Sequence, residues 1–190
     1  MSEAARPDAV STDAARRGWL IATTALPLFS ALAPRARARD AAVEVDLSDL
    51  PPGGLRTVQW RGQPVWVLRR TPAMIAALHG RDDALADPRS ERDALPAALR
   101  NPGRSIRPDV FVAVAVCTHL GCPLGANVDG GGLLRLADGS AGPFFCPCHG
   151  SSFDLAGRVL KDQPATTNLE IPPYRHVGGQ RLVIGEIDRG

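Results

Sequence analysis

"DVFVAVAVCTHLGC" occupies residues 109–122. The valine-rich apolar run reads as a strand, and it feeds without a break into a loop carrying Cys117, His119 and Cys122. About thirty residues on, "GGGLLRLADGSAGPFFC" reads as loop and strand. It leads into a second such loop, "CPCHGSSF", residues 146–153. The two loops hold all four cysteines of the chain and two of its four histidines. A strand that ends in a candidate metal loop, twice over, sets the fold class.

Outward from this pair the chain reads as further short strands. Order is expected to begin at "VEVDLSDL". "LRTVQWRGQPVWVLRR" follows as two alternating runs joined at Arg61-Gly62-Gln63, a hairpin. "TPAMIAALHG" starts with Thr71 as cap and Pro72 at the first helical position and stops at Gly80, a short helix. Residues 81–108 are charged and punctuated by proline, and read as an excursion over the surface. After the loops, "GRVL", "LEIPPYRHV" and "RLVIGEI" complete the strands. No repeats occur. The order predicts an all-β, mainly antiparallel domain over 43–190, with a loop-built cluster-binding unit inserted at about 112–160.

Bulk composition agrees. Gly 19 and Pro 17 among 190 residues favour a turn-rich β fold over a helical bundle. The net charge is +2 and the basic residues gather on no periodic face, so nucleic acid is not an expected partner. Four cysteines are too few for a disulfide scaffold of this length, and their clustering points to a site.

The first 33 residues stand apart. Arg16 and Arg17 precede an apolar run over 19–33, the pattern of a twin-arginine export signal. That route carries proteins already folded around a cofactor. Fifteen helical residues reach about 22 Å, against a hydrocarbon core of roughly 30 Å, and Pro27 interrupts them. Ala36-Arg37-Ala38 fits a cleavage site. A cleaved signal and a short anchoring helix both fit. Residues 34–42 read as a flexible hinge.

The six sulfur and imidazole groups exceed the four that a tetrahedral site needs. Structural zinc sites favour C-x₂-C spacing, whereas the intervals here are C-x₄-C and C-x-C, with one histidine per loop. Two cysteines and two histidines match a [2Fe–2S] centre in which imidazoles replace two thiolates on one iron. Cys117 and Cys146 then hold one iron, His119 and His149 the other. Cys122 and Cys148 are left over to meet as a disulfide, which an exported protein can keep.

The pair "CTHLGC…CPCHGS" resembles the signature of the Rieske iron–sulfur proteins. Within them the chain is similar to the iron–sulfur subunits of proteobacterial ubiquinol–cytochrome c reductases, the cytochrome bc complexes. The twin arginine, the hinge, "VEVDLSDL", "WRGQPVWVLRRTP", "FDLAGRV" and "NLEIPPY" carry that resemblance across nearly the whole chain. It implies an electron-transfer subunit that oxidises ubiquinol at the cytochrome b subunit and reduces the cytochrome c subunit, contributing to the proton-motive force. It also implies a single-pass membrane anchor with the iron–sulfur domain in the periplasm, in contact with lipid, within a dimeric complex. His149 is implied as hydrogen-bond partner and proton acceptor of the quinol, with His119 beside it and Leu120 on the docking surface. Ser151 matches a serine whose hydroxyl bonds a bridging sulfide. Gly121, Gly150 and Pro164 complete the surroundings.

The chain departs from the family in three places. Phe153 stands where many members carry a tyrosine whose hydroxyl donates to a ligand sulfur. The shielding loop, usually Pro-Ala-Pro, reads "QPATT", with Thr166 at the second proline. The apolar run is several residues shorter than the family's membrane helix. Elsewhere the plain structural readings hold: His79 closes the short helix, His176 sits in a strand-end loop, and Trp60 and Trp66 belong to the core or a sheet face. Two rivals stand beside the main reading: an exported soluble Rieske subunit of another periplasmic oxidoreductase, and a zinc-binding structural module.

Overall fold

The computed structural model describes residues 41–129, 132–133 and 143–187. The expected signal or anchor, and residues 34–40 of the expected hinge, lie outside the described residues.

Two three-stranded antiparallel sheets form the scaffold. One contains β2 (Leu55–Trp60), β3 (Gln63–Arg69) and β4 (Val110–Val114), in that order. The other pairs β1 (Val43–Asp46) with β11 (Arg181–Ile184), and β11 with β10 (Tyr174–Val177). The first and last strands among the described residues are therefore hydrogen-bonded neighbours. Between β4 and β10 lies the inserted unit, a small sheet of β5 (Gly125–Ala126), β8 (Phe144–Phe145) and β9 (Ser152–Phe153). A two-stranded ribbon joins β6 (Val128–Asp129) to β7 (Gly132–Leu133).

Period-two alternation explains why β4 is apolar throughout. Val110, Val112 and Val114 join Val65 and Val67 in one core, against Leu182 and Ile184 of the terminal sheet. Phe111, Ala113 and Ala115 point the other way, with Trp66 and Leu68, into a second core shared with Phe144, Phe153 and Leu169. Both faces of the strand are buried, so no position is left for a polar residue. The same parity carries Cys117 into the second core, two residues beyond Ala115. Trp60 and Trp66 are buried on opposite sides of this sheet, as expected of core residues.

The hairpin forms where expected, with a two-residue turn. Trp60 pairs with Gln63, and Arg61 and Gly62 both take positive φ, 52° and 77°, as a type I′ turn requires. Gln63 itself opens β3. Helix α1 spans Pro72–Ala76, capped by Thr71, whose hydroxyl accepts the Met74 N–H. It ends before Gly80 because the last turn tightens: the Leu78 and His79 N–H groups donate to Ile75 and Ala76, three residues back. His79 is thus exposed and beyond the helix rather than closing it.

Further expectations need correction. The stretch "GRVL" forms no strand but only isolated bridges, Val159 with Phe153 and Leu160 with Leu85. Residues 81–108 are not a surface excursion: Leu85, Asp87, Ser90, Leu95, Leu99, Arg104 and Ser105 in it are buried, and it packs as a strap. The stretch "LEIPP" forms no strand, because Pro172 and Pro173 remove two ladder donors; pairing begins at Tyr174. His176 lies within β10 opposite Leu182, its ring edge-on to Tyr174 at 5.9 Å, rather than in a strand-end loop.

Candidate metal centre

Each cysteine loop is a backbone ring closed in the same manner. In the first, the Cys117 N–H donates to Cys122 O (2.8 Å) and the Gly121 N–H to Cys117 O (3.0 Å). In the second, the Cys146 N–H donates to Ser151 O (2.7 Å) and the Gly150 N–H to Cys146 O (2.9 Å). Gly121 and Gly150 turn the chain at φ 76° and 78°, the region a β-carbon disfavours. The rings correspond position for position, Cys117 to Cys146, Gly121 to Gly150 and Cys122 to Ser151. The histidines sit one place apart in that correspondence. Their rings meet edge to face, centroids 5.0 Å apart and planes at 85°.

The four candidate ligands are thereby brought together. Cys117 and Cys146 are unbridged and buried, 2% and 1% exposed. Burial pushes the Cys117 thiol up, an effect opposed by the His119 N–H and the Ser151 hydroxyl and reinforced by the neighbouring Cys146. His119 is half-buried and its Nδ1 is a buried nitrogen with no hydrogen-bond partner. Such an orphan costs free energy unless something binds there. His149 is exposed.

Cys122 and Cys148 form a disulfide across the rings, closing a loop with a sequence separation of 26. In the chain-entropy model this contributes about 3–4 kcal/mol. The sulfurs of Cys122, Cys146 and Cys148 lie within 4.8 Å of one another, but two are in the disulfide, so a four-thiolate site is not available. What remains is two soft sulfurs inside and two imidazoles outside. That donor set fits an iron–sulfur cluster with mixed ligation.

The third wall comes from residues 162–167. The Ala165 N–H donates to Ser151 Oγ (3.0 Å), the Ser152 N–H donates to Gln163 Oε1 (3.1 Å), and Thr118 Oγ1 donates to Thr167 O (2.7 Å). Both rings are thus tied to this segment, with Pro164 and Thr166 exposed on it. Leu120 is 69% exposed, on the same ring as His119. Phe153 is fully buried, paired with Phe144 across β8 and β9.

Sequence reasoning missed the fasteners behind the site, three buried arginines. Arg70, at the end of β3, donates twice to Leu155 O and also to Gly103 O, and lies over the Phe111 ring at 4.7 Å. Burial pushes its guanidinium down to about 10, still charged at neutral pH. Arg104 of the strap reaches Ala156 O, Gly157 O and Leu169 O and pairs with Asp93 at 2.8 Å. Arg158 donates through Nε and Nη2 to Asp154 Oδ2 (2.8 and 2.7 Å) and through Nη2 to Leu78 O. All converge on the turn 154–158, which leads directly out of the second ring. Arginine inside the otherwise apolar "LAGRVL" was the available signal. Nothing local marks Arg104, whose backbone partners lie 52 to 65 residues away.

A family model described as the Rieske [2Fe-2S] domain matches residues 98–174. The chain is 48% identical over 167 residues to the ubiquinol-cytochrome c reductase iron-sulfur subunit of Allochromatium vinosum, covering 87% of this chain and 80% of the relative. It is 37% identical to the protein of the same name from Blastochloris viridis, covering 87% and 83%. With the mitochondrial cytochrome b-c1 complex subunit Rieske-1 of Nicotiana tabacum it shares 40% identity over 147 residues, 76% of this chain and 48% of that one. The chain thus spans about half the length of its mitochondrial relatives. Among solved structures, a hyperthermophilic respiratory Complex III matches at 24% identity and TM-score 0.45, over 81% of this chain and 82% of that chain.

Proposed function

The chain belongs to the family of ubiquinol-cytochrome c reductase iron-sulfur subunits, Rieske proteins, and on that premise we propose how its residues serve electron transfer from ubiquinol to a cytochrome c partner. The observation that carries the reading is the paired ring: two buried free thiols, two facing imidazoles and a disulfide that removes the surplus sulfurs. Bound there, a [2Fe–2S] cluster supplies a one-electron couple.

Cys117 and Cys146 would hold it from the core side, where burial excludes water from the sulfurs. His119 and His149 would hold it from the outer side. The exposed His149 ring would accept a hydrogen bond from a quinol hydroxyl and take up its proton. Leu120, strongly exposed beside His119, offers an apolar contact for the cytochrome b surface. Ser151, with its hydroxyl between the rings and the 162–167 segment, orients the second ring.

Among the described residues no helix is long and apolar enough to cross a membrane. Anchoring through residues 19–33, a periplasmic head, lipid contact and a dimeric complex are parts of this proposal that rest on the sequence. The test is a pull-down of the full chain from detergent-solubilised membranes, with electron paramagnetic resonance of the reduced protein. Co-purifying b- and c-type haems together with a Rieske signal are the expected outcome. A Rieske signal with no haem partners would assign the chain to another periplasmic oxidoreductase, and a silent spectrum with bound zinc would overturn the cluster.

A further inference from the structure

Three sulfurs meet on the flank of the site. The Sγ atoms of Cys122, Cys146 and Cys148 lie within 4.8 Å of one another. Two of them are bridged, while Cys146 is a free thiol in a pocket 1% exposed. Thiol–disulfide exchange needs no outside oxidant. It needs a thiolate that can line up on a disulfide sulfur, with the other sulfur as leaving group.

We infer that Cys146 and the Cys122–Cys148 bridge form an exchange triad which iron ligation holds in check. While Cys146 is bound to metal its sulfur is engaged and the bridge persists; once released, it attacks the bridge. The inference rests on the proposed role of Cys146 as a ligand.

Geometry selects the direction. Attack on Cys148 would join two cysteines separated only by Pro147, in a small ring that the proline stiffens further. Attack on Cys122 joins residues of different rings. Exposure selects the same outcome, because Cys148 is exposed and Cys122 is half-buried, so the released sulfur is the one that reaches water. In the step, Cys146 gives its proton to solvent and its sulfur bonds Cys122 Sγ. The Cys122–Cys148 bond breaks, and Cys148 leaves with the electron pair and takes up a proton. One disulfide and one thiol become one disulfide and one thiol, with no net oxidation. The rings stay tied, but one ligand sulfur is consumed. A chain that loses its cluster is thereby withdrawn until the Cys148 thiolate attacks Cys122 again and Cys146 leaves with the electron pair and takes up a proton.

The experiment starts from the purified, cluster-loaded full chain. Its iron is stripped with a chelator under argon without reductant, N-ethylmaleimide is added, and the disulfides are mapped by mass spectrometry without reduction. A several-fold rise in labelling at Cys148, with peptides linking Cys122 to Cys146, is expected after stripping. An intact Cys122–Cys148 bridge with label on Cys146 would overturn the inference, as would a Cys117–Cys146 disulfide. Cys146→Ser, purified without cluster, must keep Cys148 bridged and unlabelled; label there at the wild-type level also overturns it. A chain that carries no iron as purified would sink the cluster reading instead, while its sulfur map still decides the exchange.

Discussion

Phe153→Tyr adds one hydroxyl to a fully buried position, and the sheet register says where that hydroxyl goes. Phe153 pairs with Phe144 across β8 and β9. Two steps further along the same ladder the Cys146 N–H donates to Ser151 O. Paired residues and their neighbours two positions away share a face, so Phe153 and Cys146 are diagonal neighbours. That separation is about 7–8 Å between backbones, within reach of an aromatic side chain. A phenol there points along the face that carries the ligand sulfur. If it donates to Cys146, the bond is stronger to the more electron-rich, reduced state. A differential of about 1 kcal/mol raises the midpoint potential by roughly 40–50 mV for one electron. If the hydroxyl finds no partner, the burial cost of about 1–3 kcal/mol appears as lost stability with no change in potential. Redox titration followed by electron paramagnetic resonance, with chemical denaturation on the same samples, separates the two outcomes. An unchanged or lowered potential at undiminished stability would refute the reasoning.

Asp154→Ala should leave Arg158, 1% exposed, without its nearest carboxylate, with only the more exposed Asp82 left at 3.6 Å among the described residues, and also unpin the Ala156 and Arg158 N–H groups. The loss is expected at about 3–5 kcal/mol by denaturation, and Asp154→Ala/Arg158→Met together should cost less than the sum of the two single changes; strict additivity would show that the pair is not coupled. Tyr174, whose hydroxyl accepts the Ile106 N–H, is pushed by burial up to about 12. It is neutral in both states below its ordinary value of about 10. Above that value only the unfolded phenol ionises, so its contribution is lost as pH rises from about 10 through 12, by about 1.4 kcal/mol per unit. Arg70, pushed down to about 10, contributes with the opposite sign over the same window, so the readout is the difference from Tyr174→Phe. That difference should shift in favour of the variant above pH 10, and a flat difference would remove the phenol from the account.

What could be read from the sequence was local. The strand into Cys117, the Arg61-Gly62 turn and the Thr71-Pro72 helix start are each specified by adjacent residues, and each forms where expected. The leftover cysteines meet in the disulfide because their two neighbours per loop suit a different partner. The strap was misread because its fastening is remote: Arg104 is charged, in a proline-rich stretch, and its carbonyl partners belong to a turn 52 and 53 positions on. The shared ring closure was hidden for another reason. Cys122 and Ser151 take equivalent places through their backbone carbonyls, which no side-chain pattern displays.

The pairing of β1 with β11 bears on when the site can exist. Val43 lies opposite Ile184, so the terminal sheet is incomplete until the chain has been made through its last strand. Leu169 O, which receives Arg104, and the 162–167 segment that braces both rings also come late in synthesis. Contacts so distant along the chain are slow to form and have little support before closure. The ligands would thus emerge from the ribosome well before the frame that positions them, and iron loading belongs after β11 has joined β1.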